Sequence, residues 1–335
     1  MKIEHDVVTL RLTHPFRIAR TGADDVRQVV HVRVGDGIGE AAPHPYYGES
    51  VDTVRVAVDR YAAALRDLPD DAPVERAMRL VDASFGGNAS ARAALESALW
   101  DAMARRYAAP LWRLWGADPA EMPPTSFTIG IGSPEEMQRK ATEAADYSIL
   151  KVKLGTPRDR DIIAALRDVT DKPVRVDANT AWTPKEAVRA CEWLADSGVE
   201  LVEQPVKAAD LDGMRFVRER SPLPIIADES VRTAADVTQL AGRVDGINIK
   251  LAKCGGPTEA LSMIRLARVH GLQVMVGCMI ESSVGIATMA QLAPLVDYVD
   301  LDGNLLIDND PYRGPPIADG VLALQDAPGN GCSAV

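Results

Sequence analysis

Ionisable residues recur at a nearly constant interval in the second half of this chain, each at the end of a short apolar segment. Lys153, Asp177, Glu203, Asp228 and Lys250 are separated by 24, 26, 25 and 22 residues. About 25 residues accommodate one strand, one helix and two short loops, so the spacing predicts a parallel barrel of strands ringed by helices. Catalytic groups of such barrels stand at the carboxyl ends of the strands, where these five residues lie.

Residues 1–120 follow a different pattern. Alternating apolar and polar residues at 7–12 and 29–34 predict antiparallel strands. Three helical patterns follow, near 51–67, 73–84 and 88–106. Strands followed by helices indicate an α+β unit that precedes the barrel.

Composition excludes several classes of function. The 335 residues include 48 Asp and Glu against 37 Lys and Arg, a net charge of −11, which disfavours nucleic-acid and membrane partners. The four cysteines form no CxxC pair, so neither a zinc site nor a disulfide framework is expected. The charged N-terminus resembles no signal peptide, and no apolar run is long enough to span a membrane. We expect a cytoplasmic protein with reduced thiols.

Three of the strand-end residues are acidic. The carboxylates of Asp177, Glu203 and Asp228 end successive predicted strands and are expected to converge. Three buried carboxylates repel one another at neutral pH unless a cation lies between them. An all-oxygen set without His or Cys suits Mg²⁺, with Mn²⁺ as an alternative. A helix-capping role explains one such residue more readily than a series of five.

Lysines flank this predicted metal site. Lys151 and Lys153 are two residues apart on one strand, so both side chains point to the same face; an exposed basic strand is the alternative interpretation. Adjacent ammonium groups and a nearby cation are expected to lower a lysine pKa toward that of a general base. Lys250 ends the sixth strand, across the barrel. Two opposed bases fit removal and return of a proton α to a carboxylate, with the cation and Lys151 stabilising an enediolate, as a racemase or epimerase requires.

Five ordered motifs carry a family resemblance. They are LKVKLG (150–155), RVDANTAW (175–182), LVEQP (201–205), IADES (226–230) and NIKLAKCGG (248–256). Together they resemble the enolase superfamily, and within it the muconate-lactonising subgroup. The resemblance implies a (β/α)7β TIM-like barrel at 121–317 and an α+β capping domain at 1–120, to which the tail 318–335 returns. It also implies that Lys250, directly after its strand, is the base rather than Lys253.

One further motif narrows the resemblance. VDLDGN (299–304) is similar to the Asp-x-Asp of dipeptide epimerases, in which two carboxylates hold the substrate α-ammonium group. Asp300 and Asp302 share one strand face and could together bind such a cation. The resemblance further assigns substrate-pocket positions to Lys151, Thr128, Cys278 and Ile280. It matches Arg20 to the arginine that pairs with the substrate glutamate side chain in Ala-Glu epimerases.

The implied activity is Mg²⁺-dependent inversion of the α-carbon of the C-terminal residue of an L,L-dipeptide. Muconate cycloisomerase, o-succinylbenzoate synthase and N-acylamino acid racemase activities stay open on the same scaffold, as do a Schiff-base lysine aldolase and a non-catalytic binding protein. The preferred side chains are open too: Asp308 and Asp310 favour a cationic one, Arg20 an anionic one, and Tyr46 and Tyr47 an apolar one. A homo-oligomer is possible for a barrel of this kind.

Overall fold

The computed structural model of the chain describes residues 1–20, 22 and 24–335. Its first part contains β1 (Ile3–Phe16), β2 (Asp24–Val34) and β3 (Gly37–Ala41), followed by α1 (Val51–Leu65), α2 (Val74–Ser84), α3 (Ala89–Arg106) and α4 (Leu111–Trp115). The three strands form an antiparallel sheet in the order β1-β2-β3. Helices α1 to α3 begin and end within two residues of the predicted ranges.

The core of this first unit lies between the sheet and the helices. Helix α1 begins at a capping box in which Ser50 and Thr53 bond reciprocally, and its buried side chains include Val54, Val58 and Leu65 on one face. Strand β3, absent from the sequence prediction, packs closely on α3. A Cβ atom at Gly39 would lie 2.1 Å from the carbonyl oxygen of Ala94, so only glycine allows this approach.

Eight parallel strands form the second unit. They are β4 (Ser126–Ile129), β5 (Ile149–Lys153), β6 (Val174–Asp177), β7 (Val199–Glu203), β8 (Ile225–Ala227), β9 (Gly246–Ile249), β10 (Gln273–Gly277) and β11 (Tyr298–Asp300). Each strand pairs with its neighbour in sequence. The first and last strands meet through a bridge between Thr125 and Val299, and the Leu301 amide donates to Thr125 Oγ1 at 2.9 Å. The sheet therefore closes into a barrel.

A helix follows each strand except the last. The helices are α5 (Pro134–Glu143), α6 (Asp159–Arg167), α7 (Pro184–Asp196), α8 (Leu211–Arg218), α9 (Ala234–Leu240), α10 (Leu251–Cys254), α11 (Pro257–Val269) and α12 (Ser283–Ala290), with α10 and α11 both between β9 and β10. Residues 303–306, after β11, form only a short 3-10 helix. The predicted (β/α)7β barrel with an α+β unit before it is confirmed.

The end of the chain returns to the first unit. Four short strands, β12 (Tyr312–Arg313), β13 (Ile317–Ala318), β14 (Val321–Leu322) and β15 (Ser333–Ala334), form two antiparallel pairs, β12 with β15 and β13 with β14. The Asn330 amide donates to Asp101 Oδ1 on α3 at 2.7 Å. The domain boundaries at 120 and 317 stay predictions. Across the described residues, no helix is long and apolar enough to cross a membrane.

Candidate active site

Three carboxylates meet at the carboxyl ends of neighbouring strands. Asp177 ends β6, Glu203 ends β7 and Asp228 follows β8, and one oxygen from each lies within 4.8 Å of the others. None of the three residues is more than 2% exposed. Such a cluster of buried anions needs compensating positive charge. The all-oxygen donor set fits a hard divalent cation, so these residues could hold a metal ion.

The cluster is unevenly compensated by the protein itself. Burial and the neighbouring Asp177 carboxylate raise the pKa of Glu203 to about 7. Burial also opposes ionisation of Asp177 and Asp228, but the ammonium groups of nearby lysines outweigh it and lower the pKa of both carboxyls. Glu203 is therefore the carboxyl of the cluster whose ionised form an added cation would stabilise most.

The lysines on β5 reach this cluster from one side. Lys153 Nζ donates to Asp177 Oδ2 at 2.6 Å. Lys151 Nζ lies 2.6 Å from Glu203 Oε2 and 2.6 Å from Asp300 Oδ2. Both lysines are buried and line one cavity, as the predicted shared face requires. Lys151 thus lies between the acidic cluster and the last strand, while Lys153 contacts the cluster at Asp177.

Lys250 approaches from the other side of the barrel. It directly follows β9, and its Nζ donates to Asp228 Oδ2 at 2.8 Å. Lys253 also donates to the Asp228 carboxylate, but it lies one helical turn further on, bonds to the backbone oxygen of Asn248 at 3.0 Å and does not line the cavity. The geometry favours Lys250 over Lys253 as the group that can reach a substrate.

The pKa of Lys151 shifts opposite to the sequence expectation, and the pKa of Lys250 shifts in the same direction as that of Lys151. Burial opposes protonation of Lys151 and Lys250, but neighbouring carboxylates outweigh it and raise the pKa of both. The expectation of lowered values counted the ammonium groups and the cation, and it omitted the carboxylates that lie closer. A divalent cation shared by the same carboxylates would shift both lysines in the expected direction.

A cavity of about 910 Å³, partly open to solvent, joins these groups to the first unit. Ten of the twelve predicted site residues line it, all except the buried Asp177 and Glu203; the ten are Arg20, Thr128, Lys151, Lys153, Asp228, Lys250, Cys278, Ile280, Asp300 and Asp302. Phe16, Ile18 and Tyr47 of the first unit, together with Met279 and Leu306, supply apolar wall. Among the aromatic residues predicted to form a wall, Tyr47 lines the cavity, and Tyr46 instead stacks on Arg20, 4.3 Å from its guanidinium carbon.

The two aspartates after the last strand are held differently. Asp300 accepts from Ser126 Oγ and from Lys151 Nζ, each at 2.6 Å. Asp302 accepts from the Thr128 backbone amide, and burial together with the Asp300 charge raises the pKa of Asp302 to about 7. Both line the cavity, so together they present carboxyl oxygens that can accept hydrogen bonds from its contents.

Two further residues of the site were not predicted, although both lie within the five family motifs. Asn179 lines the cavity with φ of 43°, and its side chain donates to Asp177 Oδ2 at 3.2 Å. Glu229 follows Asp228, is buried, and accepts from Arg20 and Asn179. The available signal was that each is a polar residue next to a predicted metal ligand, Asn179 near Asp177 and Glu229 beside Asp228. Strand periodicity does not predict where a side chain points once the strand has ended.

Comparisons with known proteins agree with this geometry. Residues 2–116 match the mandelate racemase / muconate lactonizing enzyme N-terminal domain, and residues 135–334 match the enolase C-terminal domain-like family. The L-Ala-D/L-Glu epimerase of Bacteroides thetaiotaomicron is 40% identical over 99% of this chain and 87% of its own length. The L-Ala-D/L-amino acid epimerase of Pedosphaera parvula is 38% identical over 98% of this chain and 97% of its own.

Solved structures give the same result. A dipeptide epimerase from Enterococcus faecalis, complexed with Mg and the dipeptide L-Leu-L-Tyr, has a TM-score of 0.91 and 33% identity, covering 99% of this chain and 98% of that one. Muconate lactonizing enzyme from Pseudomonas fluorescens, complexed with muconolactone, has a TM-score of 0.92 and 32% identity, covering 100% and 96%. The chain belongs to the mandelate racemase / muconate lactonizing enzyme family of the enolase superfamily.

Proposed function

We propose that this protein is a dipeptide epimerase, an isomerase that inverts the α-carbon of the C-terminal residue of a dipeptide. The observation that carries the proposal is the placement of two lysines on opposite sides of one acidic cluster. Lys153, on the second barrel strand, bonds to Asp177, and Lys250, after the sixth, bonds to Asp228. In an eight-stranded barrel the second and sixth strands face each other.

The two lysines are proposed to move one proton each. The neutral amine of one lysine takes the α-proton from its side of the carbon, and the ammonium group of the other delivers a proton to the opposite face. The roles exchange in the reverse direction, so the net reaction changes configuration and consumes no other reactant. Each lysine bonds to a different carboxylate of the cluster, which keeps the two proton carriers apart.

The acidic cluster is proposed to hold Mg²⁺ through Asp177, Glu203 and Asp228. When bound, the ion would supply positive charge next to the substrate carboxylate and so ease removal of the adjacent proton. Lys151 adds a second positive charge, because it is buried between Glu203 and Asp300. Carboxylate oxygens without nitrogen or sulfur favour Mg²⁺, and Mn²⁺ is the alternative that the same donors accept.

Asp300 and Asp302 are proposed to hold the free ammonium group of the substrate. Both carboxylates line the cavity beside Thr128 and Cys278. This pair separates a dipeptide epimerase from the muconate-type alternatives, whose substrates carry no ammonium group. One observation favours an alternative: Asp300 already accepts from Lys151 and Ser126, so that carboxylate has a structural role as well. In a cycloisomerase or an N-acylamino acid racemase, Asp300 would need to hold only Lys151 and Ser126 and would bind no substrate ammonium group.

The test is proton exchange at the substrate. Pools of L,L-dipeptides are incubated with the protein and Mg²⁺ in D₂O, and mass spectrometry records which members gain one mass unit. A dipeptide epimerase incorporates deuterium at the α-carbon of the C-terminal residue and forms the epimer. Absence of exchange in every pool with the metal bound would contradict the proposal, and exchange in N-acylamino acids alone would support the racemase alternative.

A further inference from the structure

Arg20, which the family resemblance pairs with the substrate side chain, already has partners within the protein. Arg20 Nη1 donates to the Glu229 carboxylate and, at 3.4 Å, to the backbone oxygen of Asn179. Its guanidinium carbon lies 4.3 Å from the centre of the Tyr46 ring. Two barrel loops and one loop of the first unit therefore fix this side chain, which is itself 22% exposed.

Glu229 requires this partner whatever the cavity contains. Its side chain is 0% exposed, and Arg20 is its ion-pair partner within the described residues. Glu229 Oε2 accepts no hydrogen bond from them. Without Arg20, the buried carboxylate would lose its ion-pair partner beside the acidic cluster and keep only the hydrogen bond from Asn179, which is costly. Both hydrogen bonds of Arg20 use its Nη1, and Arg20 Nε has no partner among the described residues, so an anionic substrate side chain could reach the guanidinium group only through its remaining nitrogens.

The pair also connects to the proposed catalytic groups. Asn179 Nδ2 donates to Glu229 Oε1 at 3.3 Å and to Asp177 Oδ2 at 3.2 Å, and the Asn179 amide donates to Asp177 Oδ1 at 2.8 Å. Asp177 in turn accepts from Lys153. A continuous set of hydrogen bonds thus runs from the loop at Arg20 to the lysine proposed as a base. The left-handed φ of Asn179, tolerated by asparagine, is what brings its side chain into this path.

We propose that Arg20 and Glu229 form a latch, the Arg20–Glu229 latch, that holds the loop at 17–20 on the barrel and positions Asp177 and Lys153 for every substrate. The inference rests on the proposed function for its kinetic consequences and on the contacts alone for its structural ones. Both members are positioning residues. A contact with a substrate glutamate side chain would instead make Arg20 a specificity residue, and the two roles predict different results.

The kinetic test compares two substrates that differ in charge. Proton exchange in D₂O gives kcat and KM for L-Ala-L-Glu and L-Ala-L-Leu with the wild type, Arg20→Met, Glu229→Gln and the double variant. A latch predicts a loss of about tenfold in kcat/KM for both substrates in each single variant, the scale of one lost charge-assisted contact, and no further loss in the double variant. The loss should fall mainly on kcat, because the proton-transfer groups are displaced.

Two controls sharpen the comparison. Arg20→Lys keeps the cation and should recover part of the activity on both substrates. Arg158→Met removes an arginine whose side chain is 56% exposed and outside the cavity, so kcat/KM should stay at the wild-type value for both substrates. A loss of kcat/KM in Arg20→Met that is confined to L-Ala-L-Glu would overturn the latch. Losses of kcat/KM that add up in the double variant would overturn it as well.

A second measurement needs no substrate. Arg17 is exposed in the same loop, so trypsin cleavage after Arg17 reports whether the loop stays on the barrel. Cleavage should become several-fold faster in Arg20→Met and in Glu229→Gln, equally fast in the double variant, and unchanged in Arg79→Met, whose side chain on α2 is 67% exposed. Unchanged cleavage in the latch variants would refute the latch even in an active epimerase. Faster cleavage with no exchange on any dipeptide would support the latch and contradict the proposed function.

Discussion

The two lysines proposed as bases differ in which face of the substrate they serve. Lys153→Ala and Lys250→Ala should each lower epimerisation by about a thousandfold, within the range of general acid–base contributions. Each variant keeps one base, so it should still exchange the α-proton of one isomer only. The measurement is deuterium incorporation from D₂O, begun separately with each epimer.

The exposed Lys207, outside the cavity, provides the control: Lys207→Ala should exchange both isomers at the wild-type rate. Equal loss of exchange from both isomers in Lys153→Ala would contradict a two-base mechanism. It would leave that lysine a role in binding rather than in proton transfer.

Asp228 combines two interactions, since its carboxylate belongs to the acidic cluster and accepts from both Lys250 and Lys253. Asp228→Asn should weaken Mg²⁺ binding by at least about tenfold, because a charged oxygen donor becomes a neutral one. Isothermal titration calorimetry measures the affinity. Asp212→Asn, at an aspartate that is 93% exposed, should bind Mg²⁺ as the wild type does. Unchanged affinity in Asp228→Asn would remove Asp228 from the proposed ligand set.

The site residues show what the sequence could predict at this scale. A period of about 25 residues places Asp177, Glu203 and Asp228 at one end of one barrel, so their convergence follows from spacing alone. The same spacing does not predict the charge state of Lys250, because that depends on the distance between its ammonium group and the Asp228 carboxylate. The partner of Arg20 lies 209 residues away and beyond a strand end, where no periodicity applies.

At the scale of elements, strand β3 shows where the sequence signal ends. Its five residues, Gly37–Ala41, are all buried, so they lack the alternating exposure found along β1. Glycine also weakens any strand prediction. The two glycines are required because β3 lies directly on α3, a contact between elements that local pattern does not contain.

This contact predicts a stability effect. A Cβ atom at Gly39 would lie 2.1 Å from Ala94 O and 2.8 Å from Ala98 N, both backbone atoms of α3 that cannot move independently. Gly39→Ala should therefore lower the free energy of unfolding by about 1–3 kcal/mol, the usual scale of overpacking. Urea denaturation measures it. Gly86→Ala is the control, since nothing lies within 4 Å of its added Cβ atom. Equal midpoints for the two variants would contradict the packing argument.

At the scale of the whole molecule, the cavity exists only where the two units meet. The loop after β10 supplies Met279 and Ile280 to its wall, and the first unit holds that loop through Glu40. The Ser282 amide donates to Glu40 Oε1 at 2.9 Å, and His31 Nε2 lies 3.0 Å from Glu40 Oε2. This buried polar junction explains how strands far from the barrel centre determine the shape of the cavity.

The junction also predicts how stability depends on pH. Burial and the nearby Glu40 carboxylate raise the pKa of Glu281 from 4.5 to about 8, while its Oε1 accepts from the Met279 amide at 2.8 Å. The folded protein therefore binds this proton more tightly than the unfolded chain does. The resulting stabilisation is complete below pH 4.5 and is lost as the pH rises through about 8.

Glu281→Gln should reduce this loss, because the amide keeps an acceptor for Met279 and cannot ionise beside Glu40 and Lys250. Between about pH 6 and pH 9 the wild type should lose at least about 1.4 kcal/mol more than the variant, the value of one pKa unit. Urea denaturation at saturating Mg²⁺ measures both curves, with the 71% exposed Glu75 replaced by Gln as the control. Parallel curves for the wild type and Glu281→Gln would contradict a raised pKa of Glu281 and the pH dependence argued from it.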